Sequence, residues 1–320
     1  MRILVAIAAL AVALAGGSAA ALDKLTVSIG QRGGWDTWII PLGIQTGVFS
    51  KHGLEVAPLW TAGGGDTLNP ALIGAAEYAV GPPMPVVLAA YEKGAAIRVV
   101  GNQMRGASDL FWYVKADSPI KSLKDADGKS VSFSRAGSAT HVVIMALAGR
   151  YGIKPNLTAT GTVPATRTQV MTGQVEVGWA NASQLLDMFS GPQAPARIIA
   201  RGGELADYND ITLRAVSANA DFLKARPKVA KAFDAAYQET VDWMYANLDQ
   251  ALAIFCKEFD LPIGEMRDRV ASFYPKSAVS LYPLTGIDRQ VQEALQYKSI
   301  TRAPTEAQLK ELIVDTRTWN

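Results

Sequence analysis

The sequence predicts an α/β protein of two lobes, in which helices flank a mostly parallel sheet in each lobe and two crossover strands form a hinge. Strand and helix patterns alternate along the chain, which is typical of parallel sheets. One order of strands, turns and helices occurs twice, first from Leu25 and again from Ser130. The length of 320 residues also suits two domains of about 150 residues each.

The two copies share a β-α-β-α-β pattern. Each begins with a strand, a turn, a helix and a second strand, which we place at residues 25–29, 30–34, 36–46 and 54–60 in the first copy and at 130–134, 135–138, 140–150 and 157–163 in the second. Each continues with a helix that ends at a glycine, Gly74 or Gly173, a residue suited to the left-handed conformation that stops a helix. A short apolar strand follows each glycine.

The remainder of the chain predicts helices that cover a sheet. Residues 210–217 have the pattern of a strand, and Pro227 starts a long helix with one apolar face. Two further amphipathic helices follow. We expect all three to cover the sheet of the first copy, because the chain supplies no third one.

This order predicts the limits of the lobes. We expect the first lobe to comprise residues 22–112 and 215–320, and the second to comprise residues 113–214. The chain would then cross between the lobes near residues 110–115 and again near residues 211–217. Two crossovers of this kind make a hinge.

The N-terminal residues have the pattern of a secretory signal peptide. Arg2 precedes an apolar run over residues 3–15 and a stretch of small residues at 16–21. The run is shorter than the roughly 20 residues that cross a bilayer. We therefore expect residues 1–21 to be removed, with cleavage after Ala20 or Ala21, and a periplasmic mature chain without stable membrane insertion.

The composition is that of an ordinary globular protein. Hydrophobic residues make up 49% of the chain and charged residues 19%, so it can bury normal cores. Because 31 basic residues stand against 29 acidic ones, we expect no attraction to nucleic acid or to an anionic membrane. The single cysteine, Cys256, has apolar neighbours at helical spacing, which predicts a core position.

Residue types that catalysis requires are sparse. The two histidines, His52 and His141, have no cysteine or well-placed glutamate with which to bind a metal. The sequence contains no Gly-x-Ser-x-Gly motif, and no Cys/His pair indicates a thiol nucleophile. We therefore expect a protein that is not an enzyme and that has no metal and no cofactor.

Seven short segments carry a resemblance to a known family. They are residues 41–49, 51–56, 74–78, 115–125, 128–131, 137–140 and 173–176. In order and spacing they resemble periplasmic binding proteins of the nitrate, sulfonate and taurine type, which also include binders of thiamine-pyrimidine precursors and aromatic acids. Residues 81–85 depart from the family, which often has small polar residues there, and this argues against a plain sulfonate or nitrate pocket.

The resemblance implies a fold and a set of partners. The fold is the two-lobed type II periplasmic binding protein fold, with a central cleft for a small-molecule ligand. The partners are an ABC permease with its ATPase, and the usual state is a monomer. Two alternatives stay open, namely an enzyme with the fold of thiamine-pyrimidine synthases and a ligand-presenting subunit for a sensor.

In open α/β sheets, ligands lie beyond the carboxyl ends of the strands, beside helix N-termini that hold anions well. Five segments of this chain, with two hinge residues, occupy such positions. The candidate ligand-binding residues are Arg32, Gly34, Trp35, Asp36, Gly64, Gly65, Pro83, Met84, Ser108, Ser134, Gly137, Ser138, Ala139, Thr140, His141, Trp179, Asn181 and Arg214.

The candidates in the first copy have structural roles as alternatives. Arg32 can pair an anion in a bidentate fork, and Trp35 offers a flat stacking face. Trp35 also suits a core position, and Asp36 a helix cap. The glycines at 63–65 can bring backbone amides close to an anion, whereas residues 81–85 form either an apolar wall or a rigid loop.

The second copy supplies the best anion site. Ser138 is a natural N-cap, and Thr140 and His141 fall in the first turn of the helix that follows. Trp179 reaches the cleft only if the register of its strand permits it, and Arg214 lies on the second crossover. Together these residues predict a small organic anion, with an aromatic acid among the candidates, that is clamped between the lobes.

Overall fold

The fold is that of a computed structural model that describes residues 21–319. The expected signal peptide thus lies outside the described residues, except for Ala21. In chain order the strands are Asp23–Gly30 (β1), Leu54–Thr61 (β2), Tyr78–Pro83 (β3), Ile97–Arg105 (β4), Leu110–Lys115 (β5), Ser130–Phe133 (β6), Asn156–Ala159 (β7), Gly178–Asn181 (β8), Ala196–Arg201 (β9) and Thr212–Asn219 (β10).

The helices occupy most of the chain between these strands and most of it after β10. They are Ile39–Gln45 (α1), Val48–Lys51 (α2), Gly65–Leu72 (α3), Met84–Glu92 (α4), Ala139–Tyr151 (α5), Val163–Met171 (α6), Ala220–Ala225 (α7), Pro227–Ala246 (α8), Leu248–Phe259 (α9), Ile263–Phe273 (α10), Lys276–Val279 (α11), Ile287–Gln296 (α12) and Glu306–Leu312 (α13). The α/β fold class is confirmed. No helix within residues 21–319 is long and apolar enough to span a membrane.

The first sheet has five strands in the order β2-β1-β3-β10-β4. β1 pairs in parallel with β2 and β3, whereas β10 runs antiparallel between β3 and β4. The parallel part comes from the first β-α-β-α-β copy, as predicted. The antiparallel strand is inserted by the chain when it returns from the second lobe.

The second lobe repeats this order. β8-β5-β9 form an antiparallel group, and β6 pairs in parallel with β7. The amide of Ser132 donates to the carbonyl of Val177 over 2.8 Å, and the amide of Val177 donates to the carbonyl of Ser130 over 3.0 Å. These bonds join β6 to the start of β8, so the full order is β7-β6-β8-β5-β9, with β5 as the inserted antiparallel strand.

The chain passes between the two sheets in two connections. It leaves the first sheet after Arg105, enters the second at Leu110, and returns between Arg201 and Thr212. The segments in which we expected the crossings, residues 110–115 and 211–217, fall largely on the inserted strands β5 and β10. The proposed limits of the lobes at 112/113 and 214/215 stay a prediction.

The elements of the second copy differ in one place from the predicted ones. The strand expected over residues 157–163 is shorter, because Thr162 caps α6 and accepts from the amide of Ala165 over 3.4 Å. By contrast, the glycines expected to stop helices do so. Gly74 and Gly173 have left-handed φ values of 73° and 79°.

Large apolar side chains pack the long helix α8 against the first sheet. Phe233 is fully buried and stacks on Tyr78 of β3 with ring centroids 3.9 Å apart. On α9, Cys256 is buried among Phe255 and its neighbours, which confirms the core position predicted for it. The C-terminal helices therefore complete the first lobe and leave the carboxyl ends of its strands facing the second.

Candidate functional site

A cavity of about 40 Å³ lies between the two lobes. It is lined by ten of the candidate ligand-binding residues, namely Gly34, Asp36, Gly64, Ser134, Ser138, Ala139, Thr140, Trp179, Asn181 and Arg214. Both lobes contribute to its wall, and it lies where the sheets present the ends of β1, β3, β6 and β8. This volume is far below the roughly 300–1,000 Å³ of pockets for drug-sized ligands and holds about three waters at roughly 10–15 Å³ each. An organic acid therefore fits only when the lobes are farther apart than in this arrangement.

Two helices, one from each lobe, begin at this cavity. α3 is preceded by Gly64, whose φ of 59° is left-handed, and α5 is preceded by Ser138. The hydroxyl of Ser138 accepts from the amide of His141 over 3.2 Å, which fixes the start of α5. Amides in the first turn of a helix have no acceptor within the helix, and the dipole is positive at this end.

Hydroxyl groups surround the start of α5. Thr140 Oγ1 accepts from the amide of Ser134 over 2.9 Å and lies 2.8 Å from Oγ of Ser138. Ser134 Oγ is 3.1 Å from the same Thr140 oxygen. All three side chains are buried. Hydroxyls held in this way can donate to a ligand without a large loss of side-chain entropy, so this wall suits an anion or another acceptor.

The floor of the cavity is a buried charge network. Arg214 on β10 places Nη1 3.1 Å from Asp36 Oδ2 and contacts Asp109 Oδ1 with Nη2. Gln103 Nε2 on β4 also donates to Asp36 Oδ2, over 2.7 Å. Asp36 precedes α1, whereas Asp109 lies in the first connection between the sheets. The network therefore links the first sheet to the first connection between the lobes.

The carboxyl group of Asp109 in this network is a weak acid. Burial is the main cause that raises its pKa from 3.8 to about 6, and the nearby carboxylate of Asp36 contributes to this rise. The guanidinium of Arg214 opposes the rise by favouring the charged form. With both carboxyl groups ionised, two negative charges would face one positive charge at the floor of the cleft.

The lobes contact each other around the cavity. The amide of Trp35 donates to Ser183 Oγ over 3.1 Å, and the same oxygen lies 3.1 Å from the hydroxyl of Tyr274. Gln184 Nε2 donates to the carbonyl of Arg32 over 2.8 Å. Across the opposite rim, Nε of Arg135 lies 3.4 Å from Asp66 Oδ2. These bonds hold the lobes together.

Two prominent candidates of the first copy point away from the cavity. The side chain of Arg32 is 59% exposed, and its guanidinium pairs with Glu258 on α9. Trp35 is fully buried, with Nε1 3.3 Å from the hydroxyl of Tyr245 and its edge against Phe255. The core position that we weighed for Trp35 is therefore the one it occupies.

Other candidates lie beside the cavity but do not line it. Met84 is fully buried at the start of α4, next to the buried Pro83, so residues 81–85 present only Gly81 to the cleft. Gly65 begins α3 one residue behind the wall, and Ser108 directs its hydroxyl towards the carbonyl of Phe273.

The remaining two candidates contact each other. The amide of Gly137 lies 3.1 Å from Nδ1 of His141, whose ring stacks on Phe133 with centroids 4.3 Å apart. Burial lowers the pKa of His141, so the ring is a neutral acceptor near pH 7. Both residues shape the turn before α5 and do not line the cavity.

The structure adds lining residues that were not predicted. They are Gly30, Gln31, Thr37, Gly63, Gly81, Gln103 and Leu110. Most lie within or next to the turns already singled out. Gln103 is different, since it lies within β4, and the buried polar pair Asn102-Gln103 between Gly101 and Met104 is the signal that could have found it.

Larger cavities occur within the first lobe. One of about 420 Å³ lies beside Arg98 and Arg302, and an open groove of about 800 Å³ runs along α8. Neither receives residues from the second lobe or the start of a long helix. Among the residues from 21 to 319, no group of three or more histidine, cysteine or acidic side chains is placed to hold a metal ion. The cleft is therefore the candidate site.

Fold and cleft together define a two-lobed protein of the periplasmic binding protein class. The family model described as NMT1/THI5 like matches residues 39–251, which is more than half of the chain. The chain belongs to this family. Among curated proteins, none matches its sequence.

Solved structures share the fold at low sequence identity. The alkanesulfonate-binding protein SsuA of Xanthomonas axonopodis pv. citri, bound to MOPS, has a TM-score of 0.72 at 15% identity, over 91% of this chain and 98% of that chain. The Candida albicans CA3427 gene product is described as having the generic periplasmic binding protein fold. Its TM-score is 0.72 at 16% sequence identity, over 92% of this chain and 97% of that chain. The nitrate-binding protein NrtA of Synechocystis PCC 6803 has a TM-score of 0.71 at 16% sequence identity, over 91% of this chain and 86% of that chain. The predicted fold is thereby confirmed.

Proposed function

We propose that this chain is the solute-binding component of an ABC importer and that it captures a small organic anion, a sulfonate or a carboxylate, aromatic acids included. The observation that carries the proposal is the meeting of two helix N-termini, α3 from the first lobe and α5 from the second, at one cavity. A ligand that bridges both lobes stabilises their closed arrangement, and this differential affinity drives hinge closure.

The chemistry of the cavity wall supports an anionic ligand. Free amides in the first turns of α3 and α5 lie at the positive ends of the helix dipoles. The hydroxyls of Ser134, Ser138 and Thr140 also line the cavity. Their two mutual contacts use two of the three hydroxyl protons, so the group adds one donor. The Arg32 side chain takes no part, because it pairs with Glu258 outside the cleft.

Relatives and the N-terminal pattern support the transport role. SsuA is described as an alkanesulfonate-binding protein and NrtA as a nitrate-binding protein, both with this fold. The pattern of residues 1–21 supports export to the periplasm, where such a protein meets its permease. On this proposal the chain acts as a monomer that delivers its ligand to an ABC permease with its ATPase.

The fate of the bound molecule tests the proposal. Native mass spectrometry of the protein, purified without added ligand, identifies what co-purifies, and small-angle scattering then compares the protein with and without that molecule. We expect a smaller radius of gyration with ligand and recovery of the molecule unchanged. Conversion of the ligand would instead support the enzyme alternative.

Two outcomes would contradict the proposal. If no co-purifying molecule is found and no acid from a broad panel of sulfonates, carboxylates and nitrate causes compaction, the binding role is wrong. If a ligand binds but does not stimulate the ATPase of a permease complex encoded beside this chain, the sensor alternative replaces the importer.

A further inference from the structure

A buried glutamine at the floor of the cleft has a fixed orientation. Gln103 is fully buried, and its Nε2 donates to Asp36 Oδ2 over 2.7 Å. This bond turns Oε1 to the other side, towards Gly81, where a Cβ added to that glycine would lie 3.8 Å from it. The reverse orientation would set Oε1 against the carboxylate, so the network selects the observed one.

The oxygen of Gln103 is an unused acceptor. Within the described part of the chain, residues 21–319, Oε1 has no hydrogen-bond partner. Both Gln103 and Gly81 line the cavity. A buried acceptor of this kind is costly when it stays unpaired in a closed site, so a ligand that donates to it gains affinity on closure.

The charged groups at the floor of the cavity do not favour binding of an acid group there. The terminal nitrogens of Arg214 contact Asp36 and Asp109, so two carboxyl groups already balance its charge, and only its Nε has no hydrogen-bond partner within residues 21–319. An acid group placed at the floor would meet the oxygen of Gln103 and the carboxylate of Asp36. The floor therefore favours a hydrogen-bond donor over an anion.

The part of the wall formed by the two helix starts has the reverse preference. There the free amides at the starts of α3 and α5 present donors, and the linked hydroxyls of Ser138, Thr140 and Ser134 add one proton. The cavity wall thus combines a group of donors with an unpaired acceptor. A ligand that matches both must itself have two different ends.

We infer that Gln103 determines specificity by accepting a hydrogen bond from the ligand, and that the ligand is a small acid with an N–H or O–H donor on its far end. The inference rests on the proposed function, since it names which anions the cleft selects. Acids of the same size without that donor leave Oε1 unpaired and bind more weakly.

Matched pairs of acids test the inference by isothermal titration calorimetry. The probes are taurine with 1-propanesulfonate, β-alanine with butyrate, and 4-aminobenzoate with 4-methylbenzoate. In each pair a methyl group replaces the amino group, so size is nearly constant. Near pH 7 that group is an ammonium ion in taurine and β-alanine but a neutral amine in 4-aminobenzoate, so the aromatic pair tests the hydrogen bond without a change of charge. We expect the donor-bearing member of every pair that binds to bind at least about tenfold more tightly, the effect of one hydrogen bond to a buried acceptor.

Variants assign the preference to one atom. Gln103→Met keeps the length of the side chain but removes the acceptor, and we expect the difference within each pair to fall below about threefold. Gln184→Met makes the same chemical change at the lobe contact, outside the cavity wall, and should keep the preference.

The outcomes separate the inference from the proposed function. Equal binding within the pairs, tighter binding of the methyl members, or a preference that survives in Gln103→Met overturns the inference and leaves the binding role intact. The comparison in the parent protein decides this even if the Gln103 variant does not fold. Absence of binding by every probe, with no co-purifying ligand, overturns the binding role itself.

Discussion

Gly64 of the first lobe touches the backbone around Ser138 of the second. A Cβ added to Gly64 would lie 3.0 Å from the amide nitrogen of Ser138 and 2.9 Å from the carbonyl oxygen of Ala136. These atoms belong to backbone, which cannot turn aside as a flexible side chain would. The two helix N-termini can approach each other because position 64 has no side chain.

Gly64→Ala should therefore hold the lobes apart. We expect at least a tenfold loss of ligand affinity, because the added methyl group opposes the closed arrangement, together with a larger radius of gyration in the presence of ligand. Titration calorimetry measures the first effect and small-angle scattering the second.

Two other glycines separate the clash from backbone strain. Gly65→Ala adds a methyl group where no described heavy atom lies within 4 Å and where φ is not left-handed. Gly53→Ala adds one in equally open space at a φ of 76°, so it tests a positive φ without the contact. Both variants should bind ligand as tightly as the parent. If Gly53→Ala lost as much ligand affinity as Gly64→Ala, the contact at position 64 would not be the cause of the loss.

Loss of the Arg214 charge should destabilise the fold strongly. Arg214→Met leaves Asp36 and Asp109 buried together without a cation, a change that costs about 3–5 kcal/mol in comparable buried pairs. The free energy of unfolding from urea titrations measures it. Arg32→Met is the matched control, since its exposed pair with Glu258 is worth about 0–1 kcal/mol.

The same pair of variants distinguishes stability from binding. At a temperature where both variants are folded, Arg32→Met should bind ligand as tightly as the parent, because its side chain lies outside the cleft. If Arg214→Met is no less stable than Arg32→Met, the buried network does not have the structural role assigned to it.

Trp179 should report ligand binding. It is 1% exposed and lines the cavity, whereas Trp243 packs on the outer part of the first lobe. A ligand identified by the titrations above should change the tryptophan emission of the parent and of Trp243→Phe. In Trp179→Phe most of that change should be lost, and a full response there would place the ligand elsewhere.

The architecture was predictable because it depends on local patterns. Strand and helix periodicities, glycine stops and the Ser138 cap each depend on a few neighbouring residues. The repeated order then implied two similar sheets. The predicted end of β7 was wrong because Thr162 caps α6 and does not continue the strand. The apolar pattern alone does not distinguish a strand residue from a helix cap at this position.

Side-chain directions in the cleft were less predictable. Arg32 and Asp36 belong to one turn, but Asp36 meets Arg214 from β10 and Arg32 meets Glu258 from α9. These partners become neighbours only after the fold is complete. Gln103 illustrates the same limit, since its polar character is visible in the sequence but its orientation depends on Asp36, 67 positions away.

A buried carboxyl group outside the cleft should give the stability of the protein a pH dependence. Asp234 on α8 is 2% exposed and accepts a hydrogen bond from the hydroxyl of Thr316 over 2.7 Å. Burial raises its pKa from 3.8 to about 7. Between these values the folded chain keeps a proton that the unfolded chain has lost, so this group makes the fold less stable as pH rises through that window.

Asp234→Asn removes the charge but keeps an acceptor for Thr316. The gain in unfolding free energy of the variant over the parent should therefore be larger at pH 8 than at pH 5, increasing by at most about 1.4 kcal/mol per pH unit up to the folded pKa. Urea titrations of both proteins at the two pH values measure this difference.

Asp315→Asn gives a control of opposite sign. Hydrogen bonds from Arg317 lower the pKa of Asp315, so its stabilising effect is fully present above the unfolded pKa, at pH 5 and at pH 8 alike. That variant should be less stable than the parent by the same amount at both values. If the effect of Asp234→Asn were equally independent of pH, Asp234 would have to be ionised in the folded chain throughout this range, and burial would not dominate its titration.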